Sequence, residues 1–256
     1  MTRPTLPPFR ACARLAAVAL TLFACLPFAA RADQFTPAQR AEIVQILRQA
    51  LKSDPSILRD AVTALQADEA ARQQAATESA LVASHARLFA DPADPVAGNP
   101  KGDVTIVEFY DTRCPYCRRM LPEMQALLQS DPHLRLVYKD LPVLGPVSQL
   151  ESSALLAAQR QGGYLRLQEA LMTDSAPSTK DSIRRIADGL GLDGARLLRD
   201  MQDPSIRSQL RGNIALAESL HIEGTPALIV GDKLIPGAVT LDELRQEVAA
   251  ARKGQG

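Results

Sequence analysis

The sequence predicts an α/β fold with a long helical insertion and a helical N-terminal extension, and three observations support this fold class. A β-rich run over Val104–Tyr110 leads directly into a helical segment that opens with Cys114 and Cys117. A long, mostly helical stretch, residues 147–222, then separates two further predicted strands. Ahead of the first strand, residues 33–90 have a composition that favours helix.

The first 32 residues are predicted to be a signal peptide. A start that contains arginine but no acidic residue precedes an apolar run over residues 15–23, and the segment ends on an Ala-x-Ala site at Ala30 and Ala32. This order is typical of secretory signals, and the run is shorter than the roughly 20 apolar residues that span a membrane. We therefore expect cleavage after Ala32 and export to the periplasm. In an alternative interpretation, the segment ends at a lipoprotein processing site and Cys25 carries a lipid anchor.

Loss of residues 1–32 removes four arginines and two of the four cysteines. The remainder has a formal net charge of −4, which argues against a nucleic-acid partner because nucleic-acid-binding surfaces are basic. Only Cys114 and Cys117 remain, and an exported protein works in an oxidising compartment.

Residues 33–90 form the predicted N-terminal helical segment. Thr36 and Gln39 are spaced as a capping box at its start, and residues 43–65 carry apolar side chains at helical spacing. The following residues offer mainly alanine on any apolar face. Two interpretations stay open, a solvated connecting helix or a homo-oligomerising stalk within residues 36–90. The heptad pattern is not sustained, so we do not predict a long coiled coil.

A predicted linker, residues 91–103, holds three prolines and two glycines and leads into the main domain, residues 104–256. Strands are predicted over Val104–Tyr110, residues 134–139 and Ala227–Val230. The helical insertion is expected to break at residues 162–163, 176–177, 189–194 and 203–204. Thr240 and Glu243 form a second capping box, which opens the last helix.

The two cysteines have the spacing of an exchanging pair. Cys114 falls at a predicted helix N-terminus, where free N–H groups and the helix dipole favour a thiolate. Pro115 suits the first turn because it lacks an N–H group. Cys117 lies almost one turn later, within reach of a disulfide formed at Cys114. Thiol–disulfide exchange needs this combination of one accessible sulfur and one resolving sulfur.

Two other interpretations of the pair are weaker. A structural zinc site needs about four ligands, and the three histidines of the sequence are scattered, so we expect no metal site. A purely structural disulfide across two intervening residues constrains the unfolded chain little. The charged residues around the pair, Asp111, Arg113, Arg118 and Arg119, are expected to be solvated.

These motifs together resemble a known family. The segments FYDTRCPYC, LVYKDLPVLGP and IEGTPALIVGD are similar to the pattern of the DsbA-like thiol:disulfide interchange proteins, which have a thioredoxin fold with an inserted helical domain. The N-terminal extension resembles that of the ScsC-like members, which use such a segment to oligomerise. The resemblance implies a thioredoxin fold here and no cofactor.

The resemblance also implies residue roles. Cys114 is the expected nucleophile and Cys117 the resolving thiol, with Pro115 and Tyr116 completing the C-P-Y-C motif. Tyr116 stands where the most oxidising DsbA proteins have histidine, which favours a weaker oxidant. Thr225 and Pro226 match the family's cis-proline loop, whose backbone pairs with an extended substrate segment.

Glu108 matches a buried acid that family members place near the inner cysteine, where it is a candidate proton relay. Lys139 ends the second strand and is the expected partner of Glu108. A salt bridge at the strand end with no role in exchange explains the two residues equally well.

The sequence therefore predicts an exported thiol:disulfide oxidoreductase, favoured as a disulfide isomerase or reductase that acts on cysteine-containing exported proteins. A membrane redox partner is expected to set its oxidation state. The alternatives are a monomeric dithiol oxidase, a copper-binding protein that uses the two thiolates, and a holdase chaperone.

Overall fold

The computed structural model describes residues 35–254 of the 256-residue chain. The predicted signal peptide and the alternative lipid anchor at Cys25 lie outside the described residues. The chain divides into two compact units, one up to Val62 and one from Thr63 onward. Among residues 35–254, no helix is both long enough and apolar enough to cross a membrane.

The described residues form ten helices and five strands. The helices are α1 (Pro37–Ser53), α2 (Ser56–Ala83), α3 (His85–Phe89), α4 (Pro115–Ser130), α5 (Pro146–Gln159), α6 (Tyr164–Thr173), α7 (Lys180–Gly189), α8 (Gly194–Asp200), α9 (Pro204–Ser219) and α10 (Leu241–Gly254). The strands are β1 (Val96–Gly98), β2 (Val104–Tyr110), β3 (Leu134–Asp140), β4 (Ala227–Val230) and β5 (Lys233–Pro236).

One mixed sheet, in the order β1-β3-β2-β4-β5, organises the second unit. Strands β2 and β3 are parallel and joined by α4, and the other neighbouring pairs are antiparallel. Strands β4 and β5 are followed by α10, which completes a thioredoxin fold. Helices α5 to α9 lie between β3 and β4 in the sequence and form the insertion. The predicted fold class is confirmed.

Side chains along the central strands alternate between two cores, because successive residues of a strand point to opposite faces. Ile106 and Tyr110 of β2 belong to the core that also contains both cysteines and the apolar face of α4. Val107 and Phe109 belong to the opposite core, which α9 and the end of α2 cover. The alternation decides which charged residues of the same strands approach the cysteines.

Helix α1 and the first part of α2 present apolar residues to solvent. Helix α1 begins with the predicted capping box, in which the Thr36 N–H donates to Gln39 Oε1 at 2.9 Å and the Gln39 N–H donates to Thr36 Oγ1 at 3.3 Å. No residue of α1 is buried. The exposed large apolar side chains of these two segments are Ile43, Val44, Ile46, Leu47, Leu51, Ile57, Leu58, Val62 and Leu65.

The second unit reaches further toward the N-terminus than the predicted start at Val104. The helical segment predicted up to residue 90 is broken at Ser84, and after the break Leu88 packs into the core, where it is fully buried. The predicted linker contributes β1, which pairs with β3 at the edge of the sheet. Such a short edge strand has too few residues for its alternation to be visible in the sequence. The four breaks expected in the helical insertion match the loops between α5 and α9.

Candidate active site

Cys114 is the N-cap residue of α4, with φ −71° and ψ 121°. A three-residue loop connects it to the end of β2, so the sheet fixes its position. Its side chain makes no capping hydrogen bond with the helix and is 5% exposed. The Sγ instead donates to the carbonyl oxygen of Thr225 at 3.1 Å. Cys114 therefore lies at the helix N-terminus, as predicted, and faces the loop that precedes β4.

Cys117 lies in the first turn of α4 and is fully buried. Both sulfurs are thiols in this structure. Burial raises the pKa of the Cys117 thiol well above its ordinary range, and the nearby Glu108 acts in the same direction. A deprotonated Cys117 therefore needs a group that takes its proton.

The Thr225–Pro226 peptide bond is cis, as the resemblance implied. The Thr225–Pro226 loop and Tyr116 line an open groove of about 660 Å³, which also borders Gly237. Tyr116 is 56% exposed. Pro115 is the first residue of α4, where its lack of an N–H group leaves no donor unsatisfied. The structure thus brings the four motif residues and the predicted substrate loop to one place.

Glu108 lies on β2 in register with Tyr138 of β3 and is 4% exposed. Its position in the strand directs it to the core that contains the cysteines. Burial raises the pKa of Glu108 to about 8, because the apolar surroundings disfavour the charged form. Near neutral pH the carboxyl group is therefore mostly protonated, and it ionises at a pH only slightly above neutral.

The predicted pairing of Glu108 with Lys139 is wrong. Lys139 is in register with Phe109, so its side chain lies on the opposite face of the sheet. There it forms a buried ion pair with Asp94 and donates to the carbonyl oxygen of Arg87 at 2.6 Å. A lysine and a glutamate on adjacent positions of neighbouring strands cannot meet, because the alternation of side chains separates them. Lys139 is not part of the site.

Three residues beside the cysteines were expected to be solvated, and the structure places them in contacts within the protein instead. Asp111 is fully buried, and its carboxylate accepts from the backbone N–H groups of Arg113, Val143 and Leu144 at 2.8, 2.9 and 3.0 Å. Arg113 and Arg118 both donate to backbone carbonyls of the inserted helical domain. Nothing in the sequence distinguishes these three residues from solvated ones, because the hydrogen bonds above join them to main-chain atoms, which any residue supplies.

The arrangement suits exchange between thiols and disulfides. Cys114 has a reactive position at a helix terminus, Cys117 lies one turn deeper, and Glu108 is directed to the same core. Within residues 35–254, no group of three or more His, Cys, Asp or Glu residues is placed to hold a metal ion.

Comparisons with known proteins agree with this geometry. The DSBA-like thioredoxin domain matches residues 105–249, and the copper resistance protein ScsC N-terminal domain matches residues 39–72. A solved thioredoxin-like oxidoreductase from Silicibacter pomeroyi is 45% identical with a TM-score of 0.64, and the match covers 66% of this chain and 97% of that chain. A linker-deletion mutant of Proteus mirabilis ScsC is 27% identical with a TM-score of 0.66, and the match covers 88% of this chain and 100% of that chain.

Curated relatives match over the same region. The thiol:disulfide interchange protein DsbA of Bordetella pertussis is 25% identical over 163 residues, which cover 61% of this chain and 77% of that protein. Other relatives are much longer. The match to the Na(+)/H(+) antiporter NhaA 3 of Salinispora tropica is 27% identical over 166 residues, covering 62% of this chain but only 26% of that protein. The chain thus spans about a quarter of the length of such relatives.

The DSBA-like match extends over more than half of the chain, and it contains the cysteine pair, the cis-proline loop and the helical insertion. The predicted resemblance to DsbA-like and ScsC-like proteins is confirmed, and the chain belongs to the DsbA/ScsC-like family of thiol:disulfide oxidoreductases.

Proposed function

We propose that this protein is an exported thiol:disulfide oxidoreductase that rearranges or reduces disulfides of other exported proteins through Cys114 and Cys117. The observation that carries the proposal is the position of Cys114, at the N-terminus of α4 and opposite the Thr225 carbonyl, with Cys117 buried one turn deeper. A nucleophilic sulfur at a helix N-terminus, in contact with the loop that borders the groove, and a second thiol protected by burial suit the two steps of the reaction.

In the proposed reaction the Cys114 thiolate attacks one sulfur of a substrate disulfide. A mixed disulfide forms and the other substrate sulfur leaves as a thiolate. In reduction, Cys117 loses its proton and attacks the mixed disulfide, which yields the Cys114–Cys117 disulfide and a reduced substrate. In isomerisation, another substrate thiolate attacks the mixed disulfide and regenerates the protein dithiol.

We assign Glu108 as the group that takes the proton of Cys117. Its carboxyl is directed to the same core as Cys117, and a pKa of about 8 keeps a fraction ionised at neutral pH. The raised pKa of Glu108 makes its carboxylate a stronger base than an ordinary carboxylate, which favours removal of the proton of the buried Cys117.

The groove beside Cys114 is the proposed substrate site. The backbone of Thr225 and Pro226 borders it, and an extended substrate segment that pairs with this loop as an added strand brings its cysteine to Cys114. Backbone pairing depends little on the substrate sequence, which fits an enzyme that acts on many exported proteins.

Homo-oligomerisation through residues 36–90 supports the preference for isomerisation over simple oxidation. The exposed apolar side chains of α1 and the start of α2 form a surface that a soluble monomer rarely presents. The match of residues 39–72 to the ScsC N-terminal domain lies in the same segment. Several active sites held together favour repeated attack on one misfolded substrate.

Glutamate substitutions on the apolar surface test this proposal in the full-length mature protein. Leu47 and Leu58 are 56% and 57% exposed, so Leu47→Glu with Leu58→Glu leaves the helices intact but disfavours association. Leu165→Glu, at a position of α6 that is 43% exposed and lies outside residues 36–90, is the matched control. Light scattering gives the molar mass, and refolding of a scrambled-disulfide substrate gives the isomerase activity.

We expect wild type and the control to be oligomers with isomerase activity, and the double variant to be a monomer that retains dithiol oxidation but loses isomerisation. A wild-type monomer would contradict the oligomer, and equal isomerase activity in all three proteins would contradict its role.

Export rests on the signal-like N-terminus, and a membrane redox partner is proposed because exchange enzymes need a route to restore one oxidation state.

Cu(I) binding is a second candidate function, favoured by the match of residues 39–72 to a copper resistance protein and by the free dithiol. Titration of the reduced protein with Cu(I) tests it. A tight stoichiometric complex that Cys114→Ser with Cys117→Ser abolishes is the result it requires.

A further inference from the structure

Arg119 of α4 brings a positive charge to the groove beside Cys114. Besides Tyr116, the ionisable residues described along the walls of this groove are Arg119 and, from the segment between α9 and β4, His221 and Glu223. In the part of the chain that the structure describes, neither Arg119 nor Glu223 forms an ion pair. Both charges are therefore available to a molecule that binds in the groove.

The ring of Tyr116 holds the guanidinium group of Arg119 in place. The two residues are three positions apart in α4, and the Arg119 Cζ lies 4.8 Å from the centroid of the Tyr116 ring. A guanidinium group that stacks on an aromatic face is attracted to it, while the N–H groups at its edge stay open to other partners. Both side chains are exposed, so this contact displays the cation at the groove surface.

The same groove reaches the reactive sulfur. Cys114 Sγ donates to the carbonyl oxygen of Thr225 at 3.1 Å, so the cis-proline loop lies against the proposed nucleophile. This loop lines the groove together with Tyr116 and Arg119. A substrate segment that pairs with the loop is extended, and its residues follow one another at about 3.3 Å. The side chains next to the substrate cysteine therefore pass along the groove walls.

A carboxylate is the group that this cation fits best. A guanidinium group can donate two parallel hydrogen bonds to a carboxylate, and both bonds are assisted by charge. A basic side chain at the same place would be repelled by Arg119. Glu223 belongs to the loop and not to α4, so it leaves this preference in place at the α4 side of the groove.

We propose that Arg119, held on the ring of Tyr116, selects substrate segments that carry an aspartate or glutamate beside the reactive cysteine. The proposal rests on the proposed function, in which this groove is the substrate site. It names a class of substrate within that function, because backbone pairing with the Thr225–Pro226 loop alone accepts many sequences. Arg119 acts on the bound substrate, so its effect differs from one substrate to another.

Exchange with short peptide disulfides measures this selectivity in the reduced full-length mature protein. Each peptide has one cysteine, which is joined in a mixed disulfide to the coloured thiol nitrothiobenzoate. The Cys114 thiolate attacks the peptide sulfur and releases nitrothiobenzoate as a thiolate, whose absorbance gives the rate. Cys117 then loses its proton and attacks the Cys114–peptide disulfide, which releases the peptide as a thiolate and leaves the Cys114–Cys117 disulfide.

The peptides differ only at the two residues on each side of the cysteine, where aspartate, asparagine or lysine is placed in turn. The charge of a peptide also changes the intrinsic reactivity of its disulfide. Each rate constant is therefore divided by that of the same peptide with dithiothreitol, which is uncharged.

Five variants separate the charge of Arg119 from its support. Arg119→Gln removes the charge and Arg119→Glu reverses it. Tyr116→Leu removes the ring under the guanidinium group, whereas Tyr116→Phe keeps it. Arg185→Gln is the matched control, because Arg185 is an exposed arginine of α7 that does not line the groove.

We expect wild type and Arg185→Gln to react faster with aspartate than with asparagine peptides by roughly two- to fivefold at one or more positions, as for an exposed ion pair. Arg119→Gln should lose this preference, and Arg119→Glu should prefer lysine. Tyr116→Leu should weaken the preference and Tyr116→Phe should retain it, because the ring and not the hydroxyl group holds the cation. Added salt should reduce the preference of wild type, since exposed charges are screened.

Three results would overturn the inference. They are a wild type with no preference for aspartate at any position, a folded Arg119→Gln variant with the wild-type preference, and an equal loss of preference in Arg119→Gln and Arg185→Gln. The last would assign the selectivity to the overall charge of the protein. A wild type that releases no nitrothiobenzoate from any peptide would instead contradict the proposed function, whereas exchange without selectivity contradicts only the role of Arg119.

Discussion

Glu108 and Lys139 lie on opposite faces of the central sheet, although each stands near the end of one of two adjacent parallel strands. Glu108 is in register with Tyr138 and faces the cysteines, whereas Lys139 is in register with Phe109 and pairs with Asp94. The two residues therefore act in different parts of the molecule. Glu108 lies on the face of the sheet that carries the cysteines, and Lys139 binds Asp94, in the segment before β1, on the other face.

Replacing Glu108 by glutamine should stabilise the protein, and the gain should depend on pH. Burial raises the pKa of Glu108 to about 8 from an ordinary value of 4.5. At pH values between 4.5 and 8, the carboxyl group of Glu108 is ionised in the unfolded chain but protonated in the folded protein. The free energy of unfolding therefore falls as the pH rises through this range. We expect Glu108→Gln to be more stable by a few kcal/mol at pH 8, since each pKa unit corresponds to about 1.4 kcal/mol.

Chemical denaturation of the reduced protein at several pH values measures this difference. The advantage of Glu108→Gln should vanish below pH 4.5, where both states of wild type hold the proton. Glu169→Gln, at an exposed position of α6, is the control and should match wild type throughout. A gain that does not change with pH would mean that the carboxyl group is not the titrating group.

Breaking the Lys139–Asp94 pair should destabilise the fold without affecting exchange chemistry. Both side chains are 1% exposed, so Lys139→Met leaves a buried, unpaired carboxylate. Removing one partner of a buried pair costs about 3–5 kcal/mol. Burial raises the pKa of Asp94 to about 6 despite the opposing effect of Lys139, so the intact pair itself contributes little net stability.

The double variant Lys139→Met with Asp94→Leu should therefore recover most of the lost free energy of unfolding. Denaturant titration of the single and double variants measures this coupling. In the folded variants, the equilibrium constant with glutathione should equal that of wild type. A shift in that constant would place Lys139 in the active site after all.

Cys117→Ser should trap a mixed disulfide at Cys114 when the reduced protein meets a disulfide-bonded substrate. Serine cannot resolve the intermediate, and Cys117 is the buried thiol one turn beyond Cys114, the proposed nucleophile. Intact-mass spectrometry under non-reducing conditions detects the adduct. Cys114→Ser is the matched control and should form none, because the fully buried Cys117 cannot reach substrate. Equal trapping by both variants would show that the assigned order of the two cysteines is wrong.

Much of the fold could be predicted from the sequence because the signals are local. The buried strands, the capping boxes and the breaks of the helical insertion depend on residues within a few positions of one another. The edge strands β1 and β5 were not predicted, because three or four residues carry too weak a pattern. The extent of the second unit was also missed, since the burial of Leu88 depends on a break at Ser84 that no proline or glycine marks.

For the site, the spacing of Cys114 and Cys117 by itself determined the type of chemistry, since a helix start and one turn of separation follow from the chain alone. Only the tertiary structure decided which polar and charged groups lie beside that pair and which are held elsewhere. It brought the Thr225 carbonyl to Cys114, turned Lys139 away from Glu108, and attached Arg118 to the helical insertion. These relations depend on strand register and on main-chain partners more than 50 residues away, and a linear pattern of side chains contains neither.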